Sequence, residues 1–170
     1  IAEIVDNPAK FPHYGDVEAV EEPYVAVTIV LPAAYQEAVI NLLKDRRGIY
    51  RSIEYIAGDR MLIRYDVPLS EIVLDFYDKL KSVSKGYASF DYLPAGFMVS
   101  DLVRMEILIH AEVVDALSHV VHREKSFYMG KALCEKLKEL IPRQMFEVAI
   151  QARAEGRIIA PVFHRGGRPI

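Results

Sequence analysis

A single cysteine, Cys134, is all the thiol chemistry in this chain of 170 residues. It cannot close an intramolecular disulfide and has no partners for a zinc site, so a reducing compartment is expected. No apolar run is long enough to span a membrane, and no charged start with a small-residue cleavage site marks a signal peptide. The nine glycines are not spaced as G-x-x-x-x-G-K-[ST] or as G-x-G-x-x-G, which removes the two commonest phosphate cradles. A strong charge of one sign is missing too, the net value being -3. Residues 1–22 hold six of the 24 acids (Glu3, Asp6, Asp16, Glu18, Glu21, Glu22) and one base, Lys10, leaving 18 acids against 20 bases. Composition alone therefore argues only weakly for a nucleic-acid partner.

What is present is an ordinary globular mix, 52% hydrophobic and 26% charged. Residues 1–22, with DNPAKFPHYGD (6–16), read as an acidic linker without regular structure. YVAVTIVL (24–31) is a β-branched strand. AAYQEAVINLLKDRRG follows Pro32 as a helix, with Tyr35, Val39, Leu42 and Leu43 on one face and Gly48 as its stop. IYRSIEYIA and RMLIRYDV are strands joined by a hairpin at Gly58-Asp59. LSEIVLDFYDKLKS is predicted as one helix whose stripe is Leu69, Ile72, Val73, Phe76, Tyr77 and Leu80. KGYASFDY (85–92) is the last strand, and the order β-α-β-β-α-β defines a ferredoxin-like domain over 23–97.

KGYASFDY also resembles the RNP1 strand of an RNA recognition motif, where exposed rings stack on bases. RNP1 lies before the second helix of that fold, however, and this stretch comes after it. Alternation puts Tyr87 and Ser89 on one face, with Phe90 and Tyr92 turned the other way toward the core. The likeness to RNP1 is accidental.

Residues 98–170 form a second small α+β domain, so the fold class is α+β throughout. Strands are expected at 102–110 and 113–121, a helix at 123–141 with Leu133, Leu137, Leu140 and Ile141 on one face, then strands at 145–153 and 157–160. HRGGRPI (164–170) has no element to belong to. His119 and His122 fall on opposite faces of a strand, a poor metal site. Asp75 and Asp78 read as a solvated helix face, and Cys134 as packing.

Basic residues gather at element ends. Lys44, Arg46 and Arg47 crowd the end of the first helix, and Lys79, Lys81 and Lys85 the end of the second, with Ser82 and Ser84 as further phosphate donors. Cations there also complement the helix dipole, and both readings stay open. The two helices run in opposite directions, which is expected to keep the two clusters from forming one patch. Arg143 follows Pro142, where it either caps carbonyls or meets RNA. Arg123 and Lys125 open the third helix, where cations oppose the dipole, so a negatively charged partner is expected for them.

EPYV (22–25), RRG (46–48), VPLSEIVLDFYDKLKSVSKGYASFDY (67–92), SDLV (100–103), VDALS (114–118), VHRE (121–124) and EKLKELIPRQMFEVAIQA (135–152) carry a resemblance. The chain resembles the C-terminal half of the LepA (elongation factor 4) family of translational GTPases. Its first part is similar to the fifth domain of elongation factor G, and its second to the opening of the domain peculiar to LepA. The resemblance implies a ribosome-associated factor touching large-subunit ribosomal RNA and transfer RNA, promoting back-translocation or the rescue of stalled ribosomes. It implies that GTP and Mg belong to a G domain outside this chain, so no cofactor and no catalytic residue is expected here. A cytoplasmic monomer is implied, with peripheral association at the cytoplasmic face of the membrane. Residues 1–6 are similar to the edge of a preceding domain. After RIIA the family continues with a basic segment where this chain has PVFHRGGRPI, with Pro161 breaking the register. The rival reading is a ferredoxin-like small-molecule-binding or protein-adaptor domain.

Overall fold

The structure, a computed structural model, describes residues 2–160 and the backbone of 163–165. The chain divides into two compact units, residues 21–99 and residues 1–20 with 100–170. The first contains β1 (Glu21–Pro32), α1 (Gln36–Asp45), β2 (Ile49–Tyr55), β3 (Arg60–Pro68), α2 (Leu69–Ile72), α3 (Phe76–Val83) and β4 (Ser89–Val99). Its antiparallel sheet has the order β2-β3-β1-β4. Period-2 alternation sends Val25, Val27, Ile29 and Leu31 of β1, with Met61, Ile63, Tyr65 and Val67 of β3, into one core. Val39, Leu42 and Leu43 of α1 and Ile72, Phe76 and Leu80 of α2 and α3 cover it.

Three expectations for this unit need correction. The single helix expected at 69–82 is two helices, broken at residues 73–75. In a continuous helix the Glu71 carbonyl would face the Asp75 amide; here it accepts from Arg46 Nη1 at 3.3 Å. The break turns Val73 and Leu74 outward, and Tyr77 is exposed as well, so the covering stripe shrinks to Leu69, Ile72, Phe76 and Leu80. The last strand starts later and runs further than expected, through Pro94 to Val99. It is an edge strand, where proline is tolerated because one side carries no ladder. Phe90 packs on the core, whereas Tyr92 stacks on Phe90 at 5.5 Å and stays 46% exposed, because it lies at the sheet's margin.

The second unit contains β5 (Leu102–Ile109), β6 (Glu112–Val113), β7 (His119–His122), α4 (Arg123–Leu140), β8 (Val148–Ala154), β9 (Arg157–Ile158) and β10 (Phe163–Arg165). Its sheet has the order β10-β8-β5-β6, with β7 also on β5 and β9 on β8. Of the row expected on one face of α4, Leu133, Leu137 and Ile141 pack half-buried against the core. Ser126, Gly130 and Cys134, at i, i+4 and i+8, are the buried residues of α4, while Leu140 is exposed. A Cβ on Gly130 would come within 2.9 Å of the Ala152 Cβ, so small side chains set how closely α4 approaches β8. The strand expected at 113–121 is interrupted by a 3-10 turn, Asp115–Leu117, closed by Ser118 N–H on the Asp115 carbonyl at 3.0 Å. The strand expected from 145 starts at Val148, leaving Met145 and Phe146 exposed. His164 and Arg165, expected to lack an element, belong to β10, which pairs with Val148–Ile150. Pro161 and residues 166–170 lie outside the described residues. The linker 6–16 holds two 3-10 turns, Pro8–Lys10 and Tyr14–Asp16, the first capped by the Asn7 side chain on Ala9 N–H at 2.9 Å.

Phe76 is fully buried beneath both sheet and helices. Phe76→Ala is expected to cost about 3–5 kcal/mol through the cavity it leaves. Urea unfolding of the segment 21–99 alone checks both this loss and the unit's independence, since a cooperative transition is expected without the remainder of the chain. Ending the segment at 97 removes Met98 and Val99, which pair with Glu22 and Glu21, and is expected to lower the midpoint.

Candidate nucleic-acid interface

Helices α1 and α3 end in the same backbone device. Gly48 N–H reaches back to the Leu43 carbonyl at 2.8 Å, and Gly86 N–H to the Lys81 carbonyl at 2.8 Å. The residue before each glycine is left-handed, Arg47 at φ 58 and Lys85 at φ 51. These are Schellman-type ends with a cation where glycine is usual. Gly48 is required for another reason: a Cβ there would meet the Leu43 carbonyl oxygen at 2.7 Å.

The two ends use their cations differently. Arg47 bonds both oxygens of Glu22 and, through Nε, Glu71 at 3.0 Å. Burial works against its charge, but the bonds to Glu22 and Glu71 outweigh it, and the pKa is raised. Arg46 donates to Asp75 at 2.7 Å, and Lys79 also meets Asp75, at 3.3 Å. The Arg46 bond holds the Asp75 carboxyl below its usual range, with Lys79 assisting. Arg46 and Lys79 also line one groove between α1 and α3, floored by Leu42 and Val83. Lys79 of the second cluster thus meets Arg46 of the first through Asp75, whereas Lys81 is tied to the carbonyls of Gly86 and Ala88 at the far end of α3. Asp75 is an ion-pair partner and not merely a solvated face.

At the end of α3, Lys81 Nζ donates to the Gly86 carbonyl at 3.3 Å and to that of Ala88, and lies 5.5 Å from the Tyr77 ring centre. Ser84 is buried; its hydroxyl donates to the Leu80 carbonyl at 2.7 Å and accepts from Ala88 N–H at 3.1 Å. It locks the loop and has no reach to a phosphate. Ser82 is exposed. The Lys44 and Lys85 side chains are exposed and make no ion pair or hydrogen bond among the described residues.

In the second unit, Arg123 Nε donates to both Asp101 oxygens, at 3.0 and 2.8 Å, and Nη1 to Glu155. These bonds, Glu155 foremost, raise its pKa and explain a cation at the start of α4 without an outside partner. The expectation that Arg123 needs an external anion is corrected by Asp101 and Glu155. Lys125 is half-buried, and Arg143 is exposed in the loop after α4. Cys134 is buried, its thiol pushed up to about 11, which makes it inert. Among the described residues no group of three His, Cys, Asp or Glu side chains gathers as a metal site would need, and no helix is long and apolar enough to cross a membrane.

Of the nine candidate residues, Arg46, Arg47, Lys79, Lys81 and Arg123 thus have partners within their own unit. Lys44, Lys85 and Arg143 present exposed charge. Sequence reasoning missed Glu22 and Glu71 as the anchors of Arg47. The RRG of 46–48 and the acids at 71 and 75 were visible, but only the antiparallel helix pairing brings them together.

Residues 19–108 match the family described as elongation factor G C-terminus, and the chain belongs to that family. Residues 109–163 match the C-terminus of the GTP-binding protein LepA. Over 157 residues the chain is 53% identical to elongation factor 4 of Listeria monocytogenes and 52% identical to that of Chlorobium phaeobacteroides. Each alignment covers 92% of this chain and 26% of the relative, so the chain spans about a quarter of the length of these proteins.

Charge reversal at Arg123 separates the paired reading from the free one. Arg123→Glu would set a third carboxylate beside Asp101 and Glu155, and is expected to destabilise the chain by about 1 kcal/mol, the pair being partly exposed. Hydrogen bonding to Arg123 lowers the Asp101 pKa. The stability this contributes is present above the ordinary Asp range near 4 and is lost as pH falls through the lowered value. Urea midpoints from about pH 7 down to pH 3 check both signs, the difference between wild type and Asp101→Asn shrinking with acid.

Proposed function

We propose that this chain is a ribosome-binding C-terminal portion of an elongation factor 4-type translation factor, acting in the cytoplasm. It contacts large-subunit ribosomal RNA through the 21–99 unit and transfer RNA through the second unit. Its contribution is to anchor a factor that promotes back-translocation or rescues stalled ribosomes. GTP and Mg are handled elsewhere in such a factor. The observation that carries this reading is the union, in one chain, of an elongation factor G C-terminus with a LepA C-terminus.

Phosphate contact falls to Lys44, Lys85 and Arg143, whose charge is not consumed inside the fold. Such contacts bind RNA with little sequence preference and release counterions. Co-sedimentation of the chain with ribosomes across a salt series tests this. Replacing Lys44, Lys85 and Arg143 together by alanine is expected to weaken binding and flatten the log–log salt slope. The change is a little under one unit, about 0.7–0.9, for each phosphate no longer neutralised. Lys81→Ala, which loosens a loop without freeing a phosphate, is expected to lower stability and leave the slope unchanged. Failure of the wild-type chain to sediment would favour the small-molecule or protein-adaptor reading of the ferredoxin-like unit.

The chain is also expected neither to bind nor to hydrolyse GTP. Without a phosphate loop no backbone amides cradle the β-phosphate and no lysine reaches the γ-phosphate. Titration calorimetry with GTP and Mg is expected to show no heat beyond dilution, and tight binding would overturn the assignment.

A further inference from the structure

The loop between α3 and β4 presents an aromatic ring that packing does not require. Tyr87 is 65% exposed, and one of its faces lies on Tyr35, with centroids 5.9 Å apart and planes 16° from parallel. Tyr35 is half-buried against the core and serves as a fixed base for the outer ring. The backbone around Tyr87 is held at several points. Tyr87 N–H donates to the Ser84 carbonyl at 3.0 Å, Ser84 Oγ accepts from Ala88 N–H, and Lys81 bonds the carbonyls of Gly86 and Ala88. A ring on so fixed a loop loses little freedom on binding. Its neighbours Lys85, Gly86 and Ser89 are exposed and mostly polar, so the surface lacks the apolar surround of a protein hot spot.

We propose that Tyr87, supported by Tyr35, is a stacking platform for one unpaired nucleobase of RNA, with the adjacent phosphate met by Lys85. An exposed ring beside an unneutralised cation is the arrangement that holds single-stranded nucleic acid, the ring taking any base and the cation its backbone. This is not the RNP1 geometry: Tyr87 stands on the loop before β4, and the platform is two rings from separate elements. The left-handed backbone of Lys85 puts a cation at a position where glycine would be less strained. The inference deepens the ribosome-binding reading and rests on it for the identity of the RNA, though the platform can be tested directly.

The test uses the full chain in two measurements. In the first, a single-stranded RNA oligonucleotide carrying 2-aminopurine is titrated with protein, and stacking is read as fluorescence quenching. Wild type and Tyr87→Phe are expected to quench; Tyr87→Leu, apolar but not aromatic, is expected not to, and the same base within a duplex is expected to be insensitive. In the second, ribosome co-sedimentation is expected to weaken roughly 5- to 150-fold for Tyr87→Leu, the equivalent of about 1–3 kcal/mol per stacked base, and to survive in Tyr87→Phe. Thermal unfolding unchanged by either substitution keeps the comparison on binding. Absent quenching by wild type, or equal quenching by Tyr87→Leu, overturns the platform. Weakened sedimentation of Tyr87→Leu without any quenching does so too, assigning the ring to a ribosomal protein. Quenching that depends on the ring, in a chain that does not sediment with ribosomes, supports the platform and counts against the ribosomal reading alone.

Discussion

The line of charges Glu22–Arg47–Glu71–Arg46–Asp75–Lys79 ties together four elements of the ferredoxin-like unit: the start of β1, the end of α1, α2 and the start of α3. Its members are partly desolvated, and Glu22 is only 6% exposed. A carboxylate so placed costs several kcal/mol unless it is paired and hydrogen-bonded. Arg47 meets that need with bidentate bonds from a left-handed backbone position that costs a non-glycine residue about 1–2 kcal/mol. The Schellman hydrogen bond of Gly48 N–H to the Leu43 carbonyl holds that conformation. The same network settles where the second helical segment breaks, since Arg46 occupies the Glu71 carbonyl.

Much of the fold can be read from local pattern. Alternating apolar residues in 24–31 and 60–67, and the Val39-Leu42-Leu43 face, place strands and helix because each element buries one side against a single core. What escapes a local reading depends on partners far away in the chain. Val73 and Tyr77 have the right spacing for a buried stripe, yet an arginine 27 residues earlier than Val73 interrupts the helix beneath them. The leucines of α4 announce an apolar face, but its distance from the sheet is set by Ser126, Gly130 and Cys134, since only small side chains admit Ala152 so closely. Pro94 marks a strand's end unless the strand is at an edge, and edge position follows from topology, not composition.

The candidate interface was legible to a similar depth. Cations at helix ends can be seen in the sequence, but whether each is free depends on acids 24 to 32 positions away, as for Arg47 with Glu71 or Arg123 with Glu155. Counting bases therefore overstates the charge offered to a phosphate backbone. A chain of net charge -3 can still meet RNA, because the relevant quantity is the local charge left once internal pairs are formed.

The two Schellman ends show how side-chain chemistry divides this labour on one backbone geometry. Arg47 and Lys85 occupy equivalent left-handed positions, each followed by a glycine. A guanidinium is planar, weakly hydrated and able to bond two carboxylates at fixed angles, so it suits a half-buried junction. An ammonium is a compact, strongly hydrated charge that gains little from burial and keeps its reach in solvent. Exchanging the two would leave Glu22 with a single point contact in place of a fork, and would put a bulky, stacking-prone group beside Tyr87. The order of arginine and lysine along the chain thus separates the end that holds the fold from the end left open to a partner.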